Sequence, residues 1–195
     1  MAYKVVFLGE GRVGKTSIGK VWAEGSFDPH QKSTVAAAFY EKTVSINNKL
    51  IKIHLWDTAG QEEFHSLAPI YYKGSNAALL VYSVIDKRSF ERTIQWRKEL
   101  VASQGDDVKT IIVANKIDVV KDRCITEEQG KAFAASINSP YFEVSAKTGK
   151  GIDILFNALA EMLSKIPEPQ ARGRRPGRSL QVSDTEEAPT ESKCC

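Results

Sequence analysis

Residues 9–16 read Gly-Glu-Gly-Arg-Val-Gly-Lys-Thr. In this Gly-x-x-x-x-Gly-Lys-Thr spacing each fixed position has a use on an oligophosphate. Glycines let the main chain wrap with its N–H groups pointing inward, at the positive end of the helix expected next. Lys15 brings a point charge to the β- and γ-phosphates, and Thr16 offers a hydroxyl oxygen to Mg2+. A β-branched run precedes the loop and a helical segment follows it, which weighs against a glycine-rich βα turn that binds nothing. The spacing leaves the base and the reaction open.

Residues 115–118, Asn-Lys-Ile-Asp, bear on the base. The carboxylate of Asp118 only accepts hydrogen bonds; guanine presents two adjacent donors, N1–H and the 2-amino group, where adenine presents an acceptor at N1. Adenine would leave a buried acceptor unmade, at a cost of several kcal/mol. The aliphatic stem of Lys116 can cover the ring, and Ser145-Ala146-Lys147 can supply a backbone N–H to guanine O6. Taken alone, Asn-Lys-x-Asp is as readily a polar strand exit. Its order after the phosphate loop and before Ser-Ala-Lys favours a guanine pocket.

Residues 57–62, Asp-Thr-Ala-Gly-Gln-Glu, are suited to hydrolysis. Asp57 can hold a metal through water, Gly60 permits close approach of the backbone to a γ-phosphate, and the Gln61 amide can orient an attacking water. On its own this stretch is equally a strand exit and turn. Thr34 lies in a long segment, 26–38, poor in core residues, which points to function or mobility. Its hydroxyl can complete a Mg2+ shell when a γ-phosphate is present, ordering the loop in one nucleotide state and releasing it in the other.

Short β-rich runs at 3–8, 39–46, 50–56, 77–83, 110–114 and 141–144 alternate with helical periodicity at 15–24, 66–72, 88–103, 126–136 and 152–165. That alternation predicts an α/β fold, a six-stranded mostly parallel sheet with about five helices on both faces. Asn47-Asn48 tolerates positive φ and joins the second and third strands as the antiparallel edge hairpin. Thr126 with Gln129 makes a capping box. Composition changes after residue 166, where Pro and Gly punctuate a polar stretch, so we expect one domain over 1–166 and a disordered tail over 167–195.

A chain of 195 residues with 42% apolar and 26% charged residues can bury one sizeable core. Its net charge of +3 is too small to argue for nucleic acid, and no cationic stripe with interleaved aromatics appears. Three cysteines cannot form an even disulfide framework, which favours a reducing compartment; Cys124 reads as a helix-approach residue without a redox role. No secretory leader pattern and no apolar run of spanning length are apparent, so membrane attachment is expected to be chemical.

Together these motifs resemble the Ras-like small GTPases, and within them the Rab family, over residues 1 to about 165. The resemblance implies a P-loop NTPase fold and a slow GTPase cycling between GTP-bound and GDP-bound states to control vesicle and endosomal traffic. It assigns Gly11, Val13, Gly14, Lys15, Thr16, Ser17, Thr34 and Gly60 to the phosphates and metal, with Asp57 reaching Mg2+ through water and Gln61 as the catalytic residue. Asn115, Lys116, Asp118, Ser145, Ala146 and Lys147 match the guanine pocket, and Phe27 the aromatic packed edge-on to the base. Phe39, Trp56 and Tyr71 match the aromatic triad contacted by effectors. The residues Gly-Glu-Gly-x-Val-Gly-Lys-Thr and the run 64–72 look most like the early-endosomal branch. Two positions depart from the pattern: Arg12 stands where a small residue or Cys is usual and is read as facing solvent, with a phosphate contact as the alternative, and Ala36 stands where Gly is common. Gly11, which is retained, leaves room for Gln61 and for a side chain donated by an activating protein.

Cys194-Cys195 resembles the Rab double-cysteine signal for geranylgeranylation, and two prenyl chains suffice for stable anchoring. Arg172, Arg174, Arg175 and Arg178 can touch anionic lipid or merely be solvated. The implied partners are an exchange factor, an activating protein, an escort or GDI-type chaperone and effectors, acting on a monomeric domain at the cytoplasmic face of an intracellular membrane with a cytosolic pool. The alternative is a catalytically weak, nucleotide-loaded module that scaffolds membrane partners.

Overall fold

The chain's alternation of strand and helix periods is realised in a computed structural model that describes residues 2–34, 37–58, 71–105 and 108–166. Strands β1 Ala2–Leu8, β2 Ala38–Ile46, β3 Lys49–Asp57, β4 Ala77–Ser83, β5 Lys109–Asn115 and β6 Tyr141–Glu143 form one sheet in the order β2-β3-β1-β4-β5-β6. Helices α1 Lys15–Glu24, α2 Lys87–Gln104, α3 Glu127–Ser136 and α4 Ile152–Ser164 are the four longest helical elements among the described residues. The β2–β3 pair is antiparallel and the other ladders are parallel. Asn47 and Asn48, at φ 49° and 61°, make the two-residue turn of the hairpin.

Period-two alternation sends successive β1 residues into two cores. Val5 and Phe7 join Ile18 and Trp22 of α1 and Leu155, Phe156 and Leu159 of α4. Val6 and Leu8 join Trp96 and Leu100 of α2 and Ala134 of α3. Because β1 and β4 are covered on both faces, they read as nearly continuous apolar runs. On the first face the Trp22 and Phe156 rings stack at 4.0 Å and 8°, pinning the helix that follows the phosphate loop to α4.

Helix starts follow local chemistry. Thr126 accepts from Gln129 N while the Gln129 side chain accepts from Thr126 N, so Thr126 caps α3 rather than forming its first turn. Asp86 caps α2 by accepting from Ser89 N at 3.2 Å. The strand expected over 141–144 ends at Glu143; Val144 still donates to Ala114 O at 2.8 Å but turns into the next loop. Of the helix expected over 66–72, only Tyr71 and Tyr72 are described, and both are helical. The tail from 167 onward lies outside the described residues, and among those described no helix is long and apolar enough to cross a membrane.

The parallel strands end together. Leu8, Asp57, Ser83, Asn115 and Glu143 bring the motif loops to one edge of the sheet, beside the central β1, where open α/β sheets bind ligands. Phe156→Ala should remove the ring that fixes α1 and cost about 3–5 kcal/mol of stability, measured by chemical denaturation; a loss under about 1 kcal/mol would show that the stack does not hold the layer.

Candidate functional site

The loop after β1 is shaped by backbone that few side chains tolerate. Gly14, at φ 99°, caps α1, and a Cβ there would run into the Asn115 amide. Arg12 adopts φ 63°, a strained setting for a residue with a Cβ; its side chain is exposed, as the sequence reading expected, and also lines the cleft. Lys15 is 5% exposed and folds back over its own loop, donating to Gly9 O at 2.7 Å and Glu10 O at 2.9 Å. An ammonium has three donors, so one remains for a ligand. Burial lowers the Lys15 pKa to about 8, against the opposing pull of Asp57 and Glu10.

Three oxygen-bearing side chains converge at the mouth of this loop. Thr16 Oγ1 donates to Asp57 Oδ2 at 2.6 Å and lies 2.7 Å from Thr34 Oγ1. Asp57, fully buried at the end of β3 and in register with Phe7, has its carboxyl pushed up by burial, opposed by the Thr16 hydroxyl, the Lys15 charge and Thr34. Its Oδ1 has no hydrogen-bond partner. Two hydroxyls and a carboxylate are hard donors that fit Mg2+, an ion that keeps water and phosphate in its remaining positions.

At the other end of the cleft the Asn115 amide spans two loops. Its Nδ2 donates to Val13 O at 2.8 Å and its Oδ1 accepts from Ala146 N at 3.2 Å. Asp118 Oδ1 accepts from Ser145 Oγ at 2.6 Å, and Ser145 Oγ in turn accepts from Thr148 N at 3.1 Å. This holds the carboxylate in place while its other lone pairs remain for the two guanine donors. The Ala146 N–H already serves Asn115, so a bond to guanine O6 requires sharing that hydrogen or a donor from Lys147. Lys116 sits at φ 67°; burial lowers its pKa while Asp86 and Asp118 oppose the shift.

A cleft of about 800 Å3 joins the two ends. Of the residues singled out in the sequence, Gly11, Gly14, Lys15, Thr16, Ser17, Phe27, Thr34, Asn115, Lys116, Asp118, Ala146 and Lys147 line it. Val13, Asp57 and Ser145 support it through the bonds above. Gly60 and Gln61 lie outside the described residues, as do Ala36, Cys194 and Cys195. Glu10, Gln31, Asp86, Arg88 and Ser89 also line the cleft and were not singled out; for Asp86 and Ser89 the Asp-x-x-Ser spacing of a helix cap was the available signal. On the adjacent surface Phe39 and Trp56 are cross-strand partners with rings 5.3 Å apart at 70°. Phe39 is 47% exposed, whereas Trp56 and Tyr71 each pack partly against the α2-side core.

Sheet order, phosphate loop and guanine-type clamp together define a P-loop GTPase. A family model described as Ras family matches residues 4–165, and the chain belongs to that family. Ras-related protein Rab-21 of Mus musculus is 38% identical over 203 residues, covering 100% of this chain and 91% of the relative. Rab-21 of Rattus norvegicus is 40% identical over 178 residues, covering 91% and 80%, and Rab-21 of Homo sapiens 38% over 193 residues, covering 95% and 86%. Within the Ras family the chain is accordingly a Rab GTPase, a switch in membrane traffic that hydrolyses GTP to GDP.

The Lys15 charge is present below its pKa and lost above it. Without Mg2+, affinity for GDP should therefore fall about three- to fourfold from about pH 7 to about pH 8.5, followed by titration with a fluorescent GDP analogue. A flat profile would mean that the bound phosphates hold the proton on Lys15 throughout that range.

Proposed function

We propose that this cleft holds GTP or GDP with Mg2+ and that Thr34 reports which nucleotide is present. The observation that carries the reading is the convergence of Thr16, Thr34 and Asp57 within hydrogen-bond distance at the mouth of the phosphate loop. It joins Thr34, which precedes β2, to the phosphate-binding helix and to the end of β3. The Lys15 ammonium and the phosphate-loop N–H groups cradle the β- and γ-phosphates, while Asp118, steadied by Ser145, accepts from the guanine edge. Lys116 and Phe27 flank the base. Mg2+, when bound, neutralises charge on the phosphate oxygens. The oxygens of Thr16 and Thr34 and, through water, Asp57 would hold it.

Gln61 is assigned from the sequence as the residue that orients water for in-line attack, accepting from the water through its amide oxygen and donating to a phosphate oxygen. Turnover is slow until an activating protein contributes charge. In the Rab family generally, exchange factors, activating proteins, GDI-type chaperones and effectors act on such a domain; we assign effector contact here to Phe39, Trp56 and Tyr71. The tail over 167–195 serves as a tether, with prenyl groups on Cys194 and Cys195 placing the switch on the cytoplasmic face of an endosomal membrane. The endosomal assignment rests on the resemblance of the phosphate loop and of the run 64–72 to the early-endosomal branch.

Gln61→Leu should slow single-turnover GTP hydrolysis by at least about tenfold while GDP affinity stays within about twofold. An unchanged rate would sink the role of Gln61, and a wild-type chain that retains GTP unhydrolysed would favour the scaffolding module. Replacing Cys194 and Cys195 by Ser should move tagged full-length chain from membranes to cytosol, since two lipid signals are needed for stable anchoring; a membrane pattern indifferent to both cysteines would refute the tether.

A further inference from the structure

Resting on the nucleotide site as read above, we propose that Arg92 of α2 is a positioning residue for nucleotide retention, acting through Glu10 of the phosphate loop. Glu10 belongs to the phosphate loop and lines the cleft, so its carboxylate adds negative charge to a loop built for a polyanion. Uncompensated, that charge would repel the phosphates. Arg92 Nε donates to Glu10 Oε1 at 3.1 Å, across 82 positions of sequence, with side-chain exposures of 32% and 14%. The partial burial sets this pair apart from the exposed i,i+4 pairs Lys131–Glu127 and Lys165–Glu161, whose solvent screening leaves them little energetic weight.

The same contact has a geometric consequence. Glu10 O is one of the two carbonyls that accept from Lys15 Nζ, so fixing the Glu10 side chain steadies the seat of the phosphate-binding ammonium. Arg92 can serve as an anchor because the first turns of α2 are themselves tied to β4 and to one another. Ser83 N donates to Ser89 Oγ at 3.0 Å, Asp86 caps the helix, and Thr93 Oγ1 donates to Ser89 O at 2.9 Å. Arg92 thus neutralises Glu10 and holds the loop from a rigid helix, as a supporting shell must.

Neutralisation gives the two single variants unequal effects, which a merely structural contact would not. Full-length chain loaded with a fluorescent GDP analogue in Mg2+ is chased with excess GDP and the release rate measured. Arg92→Gln, which leaves the carboxylate of the phosphate loop uncompensated, should speed release about five- to tenfold, and Glu10→Gln only about twofold. The double variant Glu10→Gln/Arg92→Gln should release about threefold more slowly than Arg92→Gln alone, and Arg92→Lys should return to within about twofold of wild type. Added salt should narrow the Arg92→Gln effect. If Arg92→Gln does not fold, Arg92→Met and Glu10→Gln/Arg92→Met make the same comparison. Release within about 1.5-fold of wild type for Arg92→Gln, or a double variant as fast as Arg92→Gln, overturns the inference alone. A wild-type chain that retains no GDP overturns the site reading and the inference with it.

Discussion

One side-chain amide holds the site together. Asn115 donates to Val13 O and accepts from Ala146 N, so the phosphate loop, the strand exit that carries Asp118 and the loop after β6 are fixed relative to one another by two hydrogen bonds from a residue 1% exposed. Buried hydrogen bonds of this kind are worth more for what they prevent than for their net energy, because an unpaired buried amide costs about 1–3 kcal/mol. Gly14 follows from the same constraint, since any Cβ there would displace the Asn115 amide. The distance between the phosphate end and the base end of the cleft is therefore set by hydrogen bonds within the protein, and a site held in this way costs less to order on binding.

Thr16, Thr34 and Asp57 meet through hydroxyl and carboxylate oxygens alone. Asp57 is deeply buried at the end of β3 and Thr16 stands on α1, whereas Thr34 belongs to a loop only partly covered. In the switch proposed above, Thr16 and Asp57 serve as the two fixed donors and Thr34 as the one that a ligand recruits or releases. β2 continues from that loop, and its Phe39 pairs with Trp56 on β3. In that proposal a change at Thr34 reaches Phe39 and Trp56 through a short stretch of chain, with a coupling in the range of about 1–3 kcal/mol typical of linked sites.

Much of the fold was legible because its signals are local. Apolar runs long enough to be buried on both faces, the Asn47-Asn48 turn and the Thr126–Gln129 capping box each determine their element from neighbouring residues, and the described strands and the helices α1–α4 end within a residue or two of the expected bounds. Asp86 escaped notice although its cap is also local, since an Asp before a helix carries no sign of lying in a nucleotide cleft. The Glu10–Arg92 pair could not be foreseen at all. Either residue alone reads as a solvated charge, and nothing along a separation of 82 positions marks them as partners.

The sequence by itself determined the chemistry: which groups can wrap phosphate, accept from guanine and offer oxygen to a divalent cation, because donor and acceptor character belongs to the side chain wherever it is placed. It determined the family as well, through motifs whose order along the chain is retained. Only the tertiary structure decided how those groups are spent. The Ala146 N–H is taken by Asn115, Lys15 is anchored on two carbonyls of its own loop, and the Glu10 carboxylate is drawn to Arg92. The physical reason is that hydrogen-bond partners and charge compensation are set by three-dimensional distance, and β1, β3, β5 and α2 bring together residues whose separation along the chain carries no record of their meeting.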